Sequence, residues 1–139
     1  MRRIAQLYFD AGPPTGVDPL LAISQMVLET GNLTSHWSQP PRRNLAGIGV
    51  IGALGGGVSF QSWSKAVRAH VGRLLAYALP LEAEDDDQRA LMQEALAWRP
   101  LPDDRRGVAP TLRGLAGSWA MDAGYADKIS RIANEIRAR

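Results

Sequence analysis

One stretch limits the fold more than any other: WSKAVRAHVGRLLAYALP, residues 63–80. Trp63, Ala66, Val67, His70, Val71, Leu74, Leu75 and Ala78 recur at three- and four-residue spacing. That spacing lines them up along one face of a helix, and Pro80 closes it. An apolar stripe of this length needs other elements to cover it.

The rest of the chain supplies mostly further helices. Ile4, Leu7, Tyr8 and Ala11 stand at helical spacing before Gly12-Pro13-Pro14 ends the pattern. Asp18 reads as an N-cap with Pro19 at the first helical position. Leu20, Ile23 and Val27 continue that second helix, Leu21 and Leu28 widen its stripe, and Gly31 stops it. Because it is apolar on more than one side, it reads as the central, buried helix. Residues 32–46 read as a loop around Pro40-Pro41-Arg42-Arg43. Ile48 and Val50, then GALGGG (52–57), then Val58 and Phe60 read as a short hairpin.

Beyond the long stripe, the acidic run EAEDDD (82–87) suits a helix start, and Leu91, Met92, Ala95 and Leu96 mark the helix it introduces. RPLPDDRRGVAP (99–110) is a loop by composition, and Thr111 is expected to cap a short helix through Trp119. Ile129, Ile132, Ala133 and Ile136 stripe a last helix. The expected fold is mainly α with a small β-hairpin lobe, in one domain over residues 1–139.

Composition narrows the chemistry. The 139 residues are 45% hydrophobic and 22% charged, as for a globular domain with a real core. No apolar run is long enough for a membrane span, so no membrane partner is expected. Cysteine is absent, which removes disulfides and thiolate sites. His36 and His70 lie far apart, so no metal site and no cofactor are expected. The net charge of +2 suits an anionic polymer mildly. The basic residues are scattered and no reading helix stands out, so nucleic acid is not an expected partner.

Glu29 is the misfit. It ends the second helix beside Leu28 and just before Gly31, where the helix dipole disfavours a carboxylate. Two readings stand. Most glutamates are solvated, and this one fits a fraying helix end. Alternatively it is buried, and burial together with the helix C-terminus raises its pKa. A glutamate that stays protonated is what a general acid in glycoside cleavage requires.

Three blocks carry a resemblance that bears on this choice: ETGNLTS (29–35), NLAGIG (44–49) and WAMDAGYADKI (119–129). In this order they resemble the motifs of the endo-β-N-acetylglucosaminidases of bacterial autolysins and phage lysins. The resemblance implies a lysozyme-like helical fold. It also implies hydrolysis of the N-acetylglucosaminyl β-1,4 bond of the peptidoglycan glycan strand, with Glu29 as the general acid. It places Tyr125 at the cleft, with a ring or hydroxyl that stabilises the transition state; packing at the start of the last helix is the alternative. The NLAGIG block brings Asn44 and Gly47 to the substrate side.

The chain departs from the family pattern in three respects. Ala46 stands where an aromatic is usual, Trp119 where tyrosine is frequent, and residues 30–81 contain no Asp or Glu. Many relatives carry a second acid in the hairpin lobe. A lone acid fits a substrate-assisted route in which the 2-acetamido group is the internal nucleophile, or direct attack by water.

The remaining candidates divide between a binding and a bland role. Trp37 lies in the polar loop SHWSQPPRRN as a sugar platform or a loop anchor. Gln39 and Asn44 either donate hydrogen bonds to the sugar or hold the loop. Arg42 and Arg43 either meet peptide-stem carboxylates or stay solvated. His70 reads as a hydrogen-bonded core histidine. The expected molecule is a monomer acting on the bacterial cell wall. Lacking a recognisable signal peptide, it reads as a phage lysin or a domain of a longer protein. A muramidase or lytic transglycosylase on the same fold is the alternative activity, and an inactive wall-binding or phage structural module is the alternative class.

Overall fold

The computed structural model describes residues 1–51, 55–80 and 85–139. Its elements are α1 Arg2–Ala11, α2 Pro19–Thr30, β1 Val50–Ile51, β2 Gly55–Gly56, α3 Trp63–Ala78, α4 Asp86–Trp98 and α5 Tyr125–Arg137. Short 3-10 turns lie at Pro13–Thr15, Asp103–Arg105 and Leu112–Leu115. This is the mainly α, lysozyme-like architecture with a hairpin lobe. Residues 52–54 of the glycine-rich turn and 82–84 of the acidic run lie outside the described residues.

The central helix is α3, not α2. Residues 69–77 of α3 are buried without a break. Ala66, Ala69, Gly72 and Ala76 are small, so neighbours approach α3 from several sides. A Cβ on Gly72 would fall 2.5 Å from the Leu91 carbonyl oxygen, so α4 lies directly on α3. In α2, by contrast, Leu20, Leu21, Val27 and Leu28 are only partly covered. The core joins Ile4 and Tyr8 of α1, Ile23 and Met26 of α2, α3, Leu91 and Met92 of α4, and Ile129 of α5.

Local chemistry explains where the helices start. Asp18 Oδ1 accepts from the Leu20 N–H at 2.9 Å, with Pro19 at the first helical position. Ser62 Oγ accepts from the Lys65 N–H, and α4 opens on a reciprocal capping box between Asp85 and Gln88.

A second expectation is corrected, and the expected short hairpin proves smaller than its apolar pattern. The helix from Thr111 to Trp119 is a single 3-10 turn, and the Thr111 side chain makes no cap. Gly114 packs its backbone against Ala109, and Gly117 at φ +87° turns the chain, so a helix cannot continue there. The hairpin is only two residues per strand, pairing Val50 with Gly56 and Ile51 with Gly55. A glycine strand has few side chains to pack. The lobe is held instead by buried Ile48 and Phe60 and by the bonds Val58 N–H to Ile48 O and Phe60 N–H to Arg42 O.

Candidate active site

Glu29 occupies the last turn of α2, and its neighbours explain why the chain leaves the helix as it does. Gly31 is left-handed at φ +56°, and Asn32 and Leu33 continue in the same region at φ +59° and +65°. For leucine that conformation costs roughly 1 kcal/mol or more. Thr30 compensates. It is 1% exposed, its Oγ1 donates to the Met26 carbonyl at 2.7 Å, and the same oxygen accepts from the Leu33 N–H at 2.8 Å. The Glu-Thr-Gly-Asn-Leu run therefore encodes a helix end followed by a pinned left-handed turn.

The Glu29 carboxyl is half-buried, and its two oxygens have different surroundings. The Tyr125 hydroxyl donates to Oε1 at 2.6 Å. Oε2 lies 3.4 Å from where a Cβ on Gly47 would stand, and Gly47 holds φ +67°. Burial pushes the Glu29 pKa up; the Tyr125 hydrogen bond pulls it down by less. Among the described residues no second carboxylate contributes to that balance. The C-terminal end of α2 acts in the same direction as burial.

Tyr125 is itself placed with care. It is the first residue of α5 and is 4% exposed. Just before it, Asp122 accepts from the Gly124 N–H and pairs with Lys128 one turn into the helix. Lys128 first, then Gly124, holds the exposed Asp122 carboxyl below its ordinary range. The WAMDAGYADK block thus brackets Tyr125 with an ion pair.

Behind Tyr125 runs a chain of buried polar groups drawn from four helices. Gln25 Nε2 donates to the Tyr125 hydroxyl at 2.9 Å. His70 Nε2 lies 2.7 Å from Gln25 Oε1, and the Tyr8 hydroxyl lies 2.6 Å from His70 Nδ1. The Gln25 oxygen only accepts, so His70 Nε2 carries the hydrogen. Nδ1 then accepts from Tyr8. Each hydrogen bond in the chain therefore points toward Glu29. Burial drives the His70 pKa down to about 3 and pushes both tyrosines up, so every group stays neutral. His70 is hydrogen-bonded at both ring nitrogens and fully buried, in line with its place on the α3 stripe.

The other expected site residues part company. Gly47 stands beside Glu29 and lines a cavity of about 460 Å³ that extends to Tyr77 and Trp119. Asn44 is 1% exposed, and its side chain is taken up by backbone. Nδ2 donates to the Ile48 and Val58 carbonyls at 2.9 and 3.0 Å, and Oδ1 accepts from the Ile48 N–H at 3.0 Å. It fastens the lobe and leaves nothing for a sugar. Gln39 is exposed and donates to the Leu33 carbonyl, tying the left-handed turn to the loop. Trp37 is half-buried with its ring against Gly57, where a Cβ would come within 2.5 Å of it. Its ring therefore joins the loop to the lobe and does not line the cavity. The Arg42 Nε–H donates to the His36 carbonyl, and the Arg43 guanidinium lies over the Trp63 ring at 5.6 Å.

Reading the sequence missed Tyr8 and Gln25 as members of the polar chain, and Arg73, Tyr77, Arg99 and Arg105 as lining of the cavity. A tyrosine, a glutamine and a histidine all on apolar helix faces were the available signal. Among the described residues no group of three His, Asp or Glu side chains is gathered closely enough to hold a metal ion, and no helix is long and apolar enough to cross a membrane.

The family model Glucosaminidase, described as mannosyl-glycoprotein endo-beta-N-acetylglucosaminidase, matches residues 5–138. A curated relative from Borreliella burgdorferi (strain ATCC 35210), described as an uncharacterized protein, is 31% identical over 136 residues. The match covers 96% of this chain and 61% of that relative, so the chain spans about three fifths of its length. No solved structure matches the chain.

Proposed function

Because the chain belongs to the glucosaminidase family, we propose that it is a peptidoglycan hydrolase that cleaves the N-acetylglucosaminyl β-1,4 bond, with Glu29 as the proton donor. The observation that carries this reading is the asymmetric setting of the Glu29 carboxyl. Tyr125 occupies Oε1 as a donor, so the acidic proton belongs on Oε2, the oxygen that faces Gly47. Burial keeps the proton in place.

In the first step Oε2 protonates the linkage oxygen as the C1–O bond breaks. The carbonyl oxygen of the sugar's own acetamido group closes on C1, a route open to a glycosidase with a single acid; residues 30–81, which include the lobe, contain no Asp or Glu. The conjugate carboxylate that forms is stabilised by the Tyr125 hydroxyl, whose bond strengthens as Oε1 gains charge. In the second step water adds to C1, gives its proton to Glu29 and reopens the acetamido ring. The product keeps its anomeric configuration.

The test is mass spectrometry of digested peptidoglycan with the parent and Glu29→Gln. The proposal expects N-acetylglucosamine at the new reducing ends and a loss of about 10²–10⁴ in rate for the variant. Reducing-end N-acetylmuramic acid would reassign the enzyme as a muramidase, and its anhydro form as a lytic transglycosylase. A parent that cuts no wall would make the chain a binding or structural module.

A further inference from the structure

The cavity beside Gly47 holds an unusual concentration of positive charge. Arg73 of α3, Arg99 just after α4, and Arg105 of the 3-10 turn all line it, together with Tyr77, Trp119 and the lobe residues 46–50. Among the described residues no acidic side chain lines it; Asp103 and Asp104, on the same turn as Arg105, are exposed and not part of the lining. Arg73 is 9% exposed, and its Nη1 donates to the Arg99 carbonyl at 2.8 Å. Arg105 Nη1 donates to the Ser118 carbonyl at 3.1 Å. The Arg99 side chain lies over Gly49, with Nη1 3.5 Å from where a Cβ would stand. Among the described residues its guanidinium makes no hydrogen bond or ion pair.

Of the three, Arg73 is buried, and Arg99 and Arg105 are exposed. Burial pulls the Arg73 guanidinium below its ordinary value; attraction and a hydrogen bond to Tyr77 oppose the shift, and the Arg99 and Arg105 charges add to it. A structural role, holding the end of α4, accounts for Arg73 Nη1. It leaves the Arg99 guanidinium, which lines the same cavity, without a structural partner among the described residues. Glu29 does not itself line the cavity, but Gly47 does, and Gly47 abuts Glu29 Oε2, so the cavity begins one residue from the acid.

We propose that this cavity binds a carboxylate carried by the glycan strand, on the sugar next to the bond that Glu29 protonates. Guanidinium groups match a carboxylate's two oxygens, and the free Arg99 fork supplies the donors. The inference rests on the glycan-cleaving reading of the same site and names the substrate feature that the cavity reads. Two sources share the chemistry: a carboxylate of the peptide stem, and the lactyl carboxyl of a sugar stripped of its peptide.

The experiment is an NMR titration of Glu29→Gln, which stops turnover, with three probes at low ionic strength. These are a disaccharide-tetrapeptide muropeptide, the same muropeptide with its carboxyls converted to amides, and the peptide-free disaccharide with its lactyl carboxyl free. At least one of the two acidic probes, the muropeptide or the peptide-free disaccharide, is expected to bind about tenfold more tightly than the amidated muropeptide. Adding Arg99→Gln and Arg105→Gln should erase that difference and leave binding of the amidated probe unchanged, which controls for folding. If the peptide-free disaccharide binds like the amidated probe, the acid read is on the stem; if it binds tightly by itself, the lactyl carboxyl suffices. Binding of neither the acidic muropeptide nor the peptide-free disaccharide above that of the amidated muropeptide, equal weakening of all three by the arginine substitutions, or no binding at all would overturn the proposal. Such a failure alongside inactivity of Glu29→Gln would leave the acid in place and remove only the anion site. Charge-dependent binding by a parent that cuts no peptidoglycan would do the reverse.

Discussion

The Tyr125 hydroxyl donates a 2.6 Å hydrogen bond to Glu29 Oε1 across 96 residues of sequence, joining the start of α5 to the end of α2. Burial raises the carboxyl's pKa and this bond lowers it, so the pair sets how readily the proton leaves.

Tyr125→Phe removes only the hydroxyl. The carboxylate left after proton transfer loses its donor, and the maximal rate should fall about 10- to 100-fold, as for a hydrogen bond to a charged group. The sign of the pH effect is opposite to that of a simple defect. Activity needs protonated Glu29 and declines as pH rises through its pKa. Without the bond that pKa is higher, so the alkaline limb of kcat/KM should move to higher pH. A pH–rate profile of the variant checks both.

His70 makes an acid-sensitive core. Its pKa is about 3 in the folded chain against an ordinary 6.5, so the unfolded chain takes up the proton first. The stability it contributes is full above pH 6.5 and is lost as pH falls toward 3. The loss across that window is on the order of several kcal/mol. His70→Gln should flatten it. Urea unfolding of parent and variant at neutral pH and near pH 4.5 measures the difference.

Gly47→Ala tests the wall that faces the acid. A side chain at φ +67° is strained by about 1 kcal/mol, and its methyl would stand 3.4 Å from Glu29 Oε2. A larger fall in turnover than in stability is expected, at least about tenfold in kcat/KM, because the methyl occupies the approach to the proton. Parallel melting curves and kinetics separate the two.

Asn44→Ala should act on the fold instead. It strips buried Ile48 and Val58 backbone groups of their partners, at a cost of about 2–3 kcal/mol. Denaturation should show that loss while KM of the folded fraction stays near the parent's.

Much of this was legible in the chain itself. The α3 stripe, the Asp18-Pro19 start, and the Glu29-to-Gly31 stop are local features, and local periodicity and capping announce them. The choice of central helix was not, because it depends on which helix neighbours can approach from several sides, as Gly72 permits for α3. The helix expected from Thr111 fails on two glycines whose backbone placement only packing decides. Asn44 read equally as a sugar donor or as a loop fastener, and sequence could not choose, because the carbonyls of Ile48 and Val58 that take its amide lie 4 and 14 residues away. Tyr8, Gln25, His70 and Tyr125 sit on four helices, and Arg73, Arg99 and Arg105 on three segments. No spacing rule links such residues, and only the fold brings them together.

The most direct measurement of the central claim is a site-resolved titration of the Glu29 carboxyl carbon by NMR, assigned with Glu29→Gln. The account predicts a midpoint clearly above the ordinary glutamate value of about 4.3, with Tyr125→Phe moving it higher still. A midpoint at or below that value, unmoved by Tyr125→Phe, would contradict it.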